Sequence, residues 1–141
     1  MDRTFNIRSF IANGLRDAYA QNRSSLYHRK ENIMIAGGLV GADIVFEDRV
    51  DFSEGYAKNE DKIARVDIAE DITAYEPLDS FVGSLIKRDR GFALIKVDYL
   101  VDDLEEIDGC ENLARALRIV VESNNEMTAH EILELETLAS A

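Results

Sequence analysis

Six carboxylates crowd into ten residues at Asp102, Asp103, Glu105, Glu106, Asp108 and Glu111. Such an oxygen-rich stretch could hold a hard cation. An EF-hand loop needs acidic residues at positions 1, 3 and 5 and glycine at position 6. With Gly109 as that glycine, Leu104 takes the first position and the motif fails. A solvated connection from a strand into a helix is the preferred reading, with Asp108 and Glu111 spaced as a capping box at the helix start. Cys110, the single cysteine, falls near that helix N-terminus, where a thiol can be activated. The surrounding carboxylates oppose the thiolate, and no histidine is near in sequence to act as its base.

The run Ala36-Gly37-Gly38-Leu39-Val40-Gly41 invites a phosphate-loop reading. It lacks the G-x-G-x-x-G order and the Gly-Lys-Ser/Thr ending, and no helical pattern follows it. A turn is the better reading. His28 and His130 each lack a second histidine or cysteine at metal-ligand spacing, so no metal, cofactor or disulfide is expected. Tyr27-His28-Arg29-Lys30, with Arg23, is the one basic patch that carries an aromatic residue. It could touch phosphate or nucleic acid, or surround a pocket, and salt-bridging to an acidic neighbour is the better reading.

Charge narrows that choice. The chain of 141 residues carries a net charge of −12, unevenly spread. Residues 1–42 hold six basic and three acidic residues, a balance of +3, and the remainder holds ten against twenty-five, a balance of −15. The surplus repels a nucleic-acid backbone, so direct nucleic-acid binding is not expected. A molecule polarised in this way presents an acidic face to a basic partner, meets copies of itself basic end to acidic end, or carries the charge for solubility alone. The 46% hydrophobic content and single proline suit a folded single domain over 1–141. No apolar run can span a bilayer and no signal peptide is visible, so a cytoplasmic-type, reducing compartment is expected.

The elements that would position these groups read as follows. Thr4–Gln21 is an amphipathic helix with Ile7, Phe10, Ile11, Leu15, Ala18 and Tyr19 on one face and Arg8 and Arg16 elsewhere on the surface. Asn22–Lys30 is a polar connector. Asn32–Ala36 is a short strand, Gly37-Gly38 a hairpin turn, and Asp43–Phe52 a strand with a bulge at Asp48. Ser53–Lys62 is a loop, and Ala64–Ile68 a third strand. A helix opens at Pro77 with the stripe Leu78, Phe81, Val82, Leu85 and Ile86, and Gly91 stops it. Phe92–Val101 reads as an internal strand, because Ala93, Ile95, Val97, Tyr99 and Val101 alternate and the other face is half apolar. A helix with Leu113, Leu117, Val120 and Val121 follows. Asn124-Asn125 then breaks the chain, and a last helix over 127–141 starts with a capping box at Thr128 and Glu131 and a staple from Met127 to Ile132.

The expected fold is α+β in the order α-β-β-β-α-β-α-α, a mainly antiparallel four-stranded sheet covered by helices. That order and size are similar to those of class I secretion chaperones and bacteriophage tail-terminator proteins, a likeness of element order that no motif residue carries. The function expected is a non-enzymatic interaction or assembly module, chaperone-like or viral assembly-type, that forms homo-oligomers and binds another protein. Its expected contacts are Arg16, Arg23, Tyr27, His28 and Arg29, with Ile132, Leu135 and Leu138 of the last helix supplying apolar area. The alternatives are an acidic inhibitor or nucleic-acid mimic that fills a basic groove, and a small-molecule-binding domain or small enzyme built around Tyr27, His28 and Arg29.

Overall fold

Helices dominate the computed structural model, which describes residues 3–46, 63–68, 81–123 and 128–140. Helix α1 (Arg3–Gln21) is followed by a short α2 (Arg23–Leu26), a 3-10 turn (Tyr27–Arg29) and α3 (Lys30–Leu39). Strands β1 (Ala42–Phe46) and β2 (Ile63–Ile68) come next, then α4 (Phe81–Arg88), α5 (Arg90–Glu105), α6 (Glu111–Ser123) and α7 (Ala129–Ser140). The expected four-stranded α+β sheet is therefore wrong, and the likeness drawn from its element order falls with it. The described strands form one antiparallel two-stranded ribbon, with Ala42 opposite Ile68, Ile44 opposite Val66, and an irregularity between Val45 and Phe46. The bulge expected at Asp48, the loop Ser53–Lys62, the opening at Pro77 and the staple residue Met127 lie outside the described residues.

Two segments expected as strands are helices, each for a specific reason. In Phe92–Val101 the alternation conceals a four-residue repeat. Neighbours in a period-two series are about 200° apart on a helix, so such a series splits into two opposite stripes. Ala93, Val97 and Val101 take one stripe and are buried with Leu100 and Leu104, the helical spacing i, i+4, i+7, i+8, i+11. Ile95 and Tyr99 take the other and are exposed. Gly91 does not stop a helix. Asp89 stands between α4 and α5, donating its N–H to the Leu85 carbonyl and accepting the Phe92 N–H on its side chain at 3.1 Å. It closes one helix and N-caps the next.

The run Asn32–Ala36 with Gly37-Gly38 is the body of α3, not a strand and a turn. A short apolar run without alternation does not distinguish a strand from a buried helix. Here Ile33, Ile35, Ala36, Gly37, Gly38 and Leu39 are all buried, as in a helix covered on every side. Glycine is used at position 37 for close approach. A Cβ there would stand 2.7 Å from Ile44 Cδ1 and 3.0 Å from Ile44 Cγ1, so α3 lies directly on β1. The turn between them falls at Gly41, whose φ of +81° suits glycine. The connector Asn22–Lys30 is likewise helical, in α2 and the 3-10 turn.

The core is one cluster drawn from α1, α2, α3, β1, α4, α5, α6 and α7. Helix α1 packs against β2, α6 and α7, while α5 packs against α3, α4 and α6. Arg8 does not lie on the surface: it is buried to 1% exposure on α1, between Ile7 and Ile11. Buried Asn32 on α3 donates its side-chain amide to the Lys96 carbonyl of α5 at 2.6 Å and ties the two helices together. Among the described residues, no helix is long and apolar enough to cross a membrane.

Candidate interaction surface

With its inner stripe committed to the core, α5 turns Phe92, Ile95 and Tyr99 outward at spacing i, i+3, i+7. They are 38%, 59% and 54% exposed. Cations flank them. Lys96 Nζ sits 5.3 Å from the centre of the Phe92 ring and the Arg29 guanidinium 5.4 Å from that of Tyr99. Lys30 Nζ lies 4.8 Å from the ring of Tyr27, which is also exposed. Cation–aromatic pairs at exposed sites contribute about 0.5–1 kcal/mol each, enough to bias a long side chain toward the ring. The Tyr27–Lys30 segment and the outward face of α5 thus form one continuous surface of aromatic and cationic groups.

An ion pair joins the two parts. Arg29 Nε donates to Asp103 Oδ2 at 2.6 Å, and His28 Nε2 stands 3.6 Å from the same oxygen. On the opposite flank Arg118 of α6 gathers the carboxylates of α5, bonding Glu105 at 2.8 Å and reaching Asp98 and Asp102 at 3.5 Å. Carboxylates in the last turn of a helix oppose its dipole, so these arginines offset a built-in cost. The Glu105 hydrogen bond, with the attraction of Asp98 and Asp102, holds the Arg118 guanidinium above its ordinary pKa despite some desolvation. The acidic cluster is therefore the end of a helix and the turn after it, not a strand-to-helix connection. Glu111 accepts the Gly109 N–H at 2.9 Å in place of the expected box with Asp108. Among the described residues, no three histidine, cysteine or acidic side chains gather as a metal site.

Other candidates occupy ordinary positions. Cys110 is buried, and desolvation followed by the Glu111 charge pushes its thiol pKa up, away from activation. The run Ala36–Gly41 ends a helix where a phosphate loop would begin one. His130 is exposed in the first turn of α7. A cleft of about 570 Å³ between α1 and α7 is lined by Phe10, Asn13, Asp17 and Glu136 among others, and by none of Tyr27, His28 or Arg29.

The expected contact residues do not form one site. Arg16 lies on α1, 3.4 Å from Asp17. Arg23 begins α2, while Tyr27, His28 and Arg29 belong to the surface just described. The apolar contribution assigned to α7 is corrected. Leu135 is fully buried in the chain's own core, and Ile132 and Leu138 pack partly against that core. Phe92, Ile95 and Tyr99 are the residues that sequence reasoning missed as surface. Reading 92–104 at a helical period would have found them, as a second stripe opposite the first. Compared with protein-family models, curated proteins and solved structures, the chain matches none.

Proposed function

We propose that this chain is a non-enzymatic protein-interaction module that works as a homo-oligomer, in a reducing, cytoplasmic-type compartment. The observation that carries the reading is the outward stripe Phe92, Ile95 and Tyr99 with Arg29 and Lys96 against its rings. Tyrosine, phenylalanine and arginine are the residue types enriched where proteins bind one another, and scattered surface apolar residues do not line up at helical spacing with cations beside them. The acidic-inhibitor reading draws less support, because Asp98, Asp102 and Glu105 converge on Arg118 and Asp103 is held by Arg29. Light scattering coupled to size exclusion, at low and high salt and across a concentration series, tests the proposal. Concentration-dependent oligomers are expected. A chain that stays monomeric at high micromolar concentration in both salts overturns it.

A further inference from the structure

Helix α5 reverses its charge along its length. Its first half carries Arg90 and Lys96, preceded by the capping Asp89 and by exposed Lys87 and Arg88 in the last turn of α4. From Asp98 onward every charged side chain through Asp108 is a carboxylate: Asp98, Asp102, Asp103, Glu105, Glu106 and Asp108. This end stays negative after Arg29 and Arg118 are counted against it. Between the two ends lies the apolar stripe Phe92, Ile95 and Tyr99. A surface that is basic, then apolar, then acidic is complementary to a copy of itself turned end for end. From this we infer that the outward faces of two α5 helices pair antiparallel across a two-fold axis, an inference that rests on the homo-oligomer reading above.

In that arrangement Ile95 of one copy meets Tyr99 of the other and the reverse holds by symmetry, the reciprocity a two-fold interface requires. Each basic end faces an acidic end, and the two helix dipoles run in opposition. A parallel pairing would instead set carboxylate rows and like dipole ends side by side. Leu133 of α7, exposed among Glu131, Glu134 and Glu136, offers one apolar side chain, and Arg115 of α6 is already paired with Glu134 at 2.8 Å, so it does not match this self-complementarity.

Two experiments on the full chain decide the matter. The first is light scattering on Ile95→Asp, with thermal unfolding measured in parallel. The dimer dissociation constant should rise at least tenfold, while at a concentration low enough to keep wild type monomeric the melting temperature should be unchanged, because Ile95 is exposed in the subunit. The second uses single cysteines in a Cys110→Ser background under mild oxidation. On an antiparallel pair Asp98→Cys lies two residues along the axis from its mate, about 3 Å, and should crosslink. Glu106→Cys lies about 27 Å from its mate by the same rise and should not. Crosslinking of both variants points to a parallel pair and overturns the inference. An oligomer that forms unchanged in Ile95→Asp overturns it too, yet leaves the interaction reading standing. A wild-type chain that never self-associates overturns both.

Discussion

Helices α1 and α5 are both amphipathic, yet they spend their apolar residues differently. In α1 the apolar side chains Ile7, Ile11, Ala12, Leu15, Ala18 and Tyr19 are all buried and Phe10 partly so, and among the described side chains none of the large exposed apolar residues belongs to it. In α5 the apolar residues divide into two opposite stripes, and only one is covered. A helix with a single stripe needs only its own subunit. One with two stripes, packed on one side by its own core, has the second left for another molecule. The contrast separates residues that fold the chain from residues available for what the folded chain does.

The sharpest test of that contrast is a pair of aspartates two residues apart. Val97→Asp places a charge in the core at a fully buried position. Leaving it unpaired there costs several kcal/mol, about 3–5, and should unfold the subunit in a thermal or urea melt. Ile95→Asp, compared at a concentration where both chains are monomeric, should leave the same melt within about 0.5 kcal/mol of wild type. Equal effects would mean that α5 has no outward face.

Truncation gives a smaller version of the same comparison. Leu15→Ala in α1 should cost about 2–5 kcal/mol by urea denaturation, since Leu15 is buried and leaves a cavity. Tyr99→Ala should cost under about 1 kcal/mol, mainly its contact with Arg29. Smaller again is the cap of α7. Thr128 and Glu131 exchange hydrogen bonds at 2.9 and 3.1 Å, and Thr128→Ala should cost about 1 kcal/mol, read as a lower urea midpoint. Least of all in energy is the chemistry of Cys110. Its raised pKa means that at pH 8 the native thiol is alkylated by iodoacetamide more slowly than in the unfolded chain. The gap should narrow as pH climbs, since the thiolate then forms in the native state as well.

Much of this architecture is written in local signals. The stripe of α1, the cap at Thr128 and the inner face of α6 all emerge from spacing, because each sits where one helical period is undisturbed. The failures have one root. Ala93, Ile95, Val97, Tyr99 and Val101 satisfy a strand at period two and a helix at period four at once, and the half-apolar second face points to an internal strand. Leu100 and Leu104 break the tie, since with Val97 and Val101 they continue the helical stripe through the acidic residues. In α3 two glycines mimicked a turn, and the burial that makes them helical comes from long-range packing that no short window contains. The site was half legible. Tyr27, His28 and Arg29 stood out by composition, while Phe92, Ile95 and Tyr99 were assigned to the interior along with the supposed strand.

The seat of Gly37 on Ile44 has a consequence for how this sequence can evolve. Adding a methyl group at position 37 first drives a Cβ to 2.7 Å from Ile44 Cδ1, an overpacking that costs about 1–3 kcal/mol. Shortening Ile44 to valine first removes that Cδ1 and costs about 0.5–1.5 kcal/mol. The two positions are therefore epistatic, and the order of steps matters. Alanine at 37 should cost less in an Ile44→Val background than in the wild-type chain, a difference that a double-mutant cycle reads.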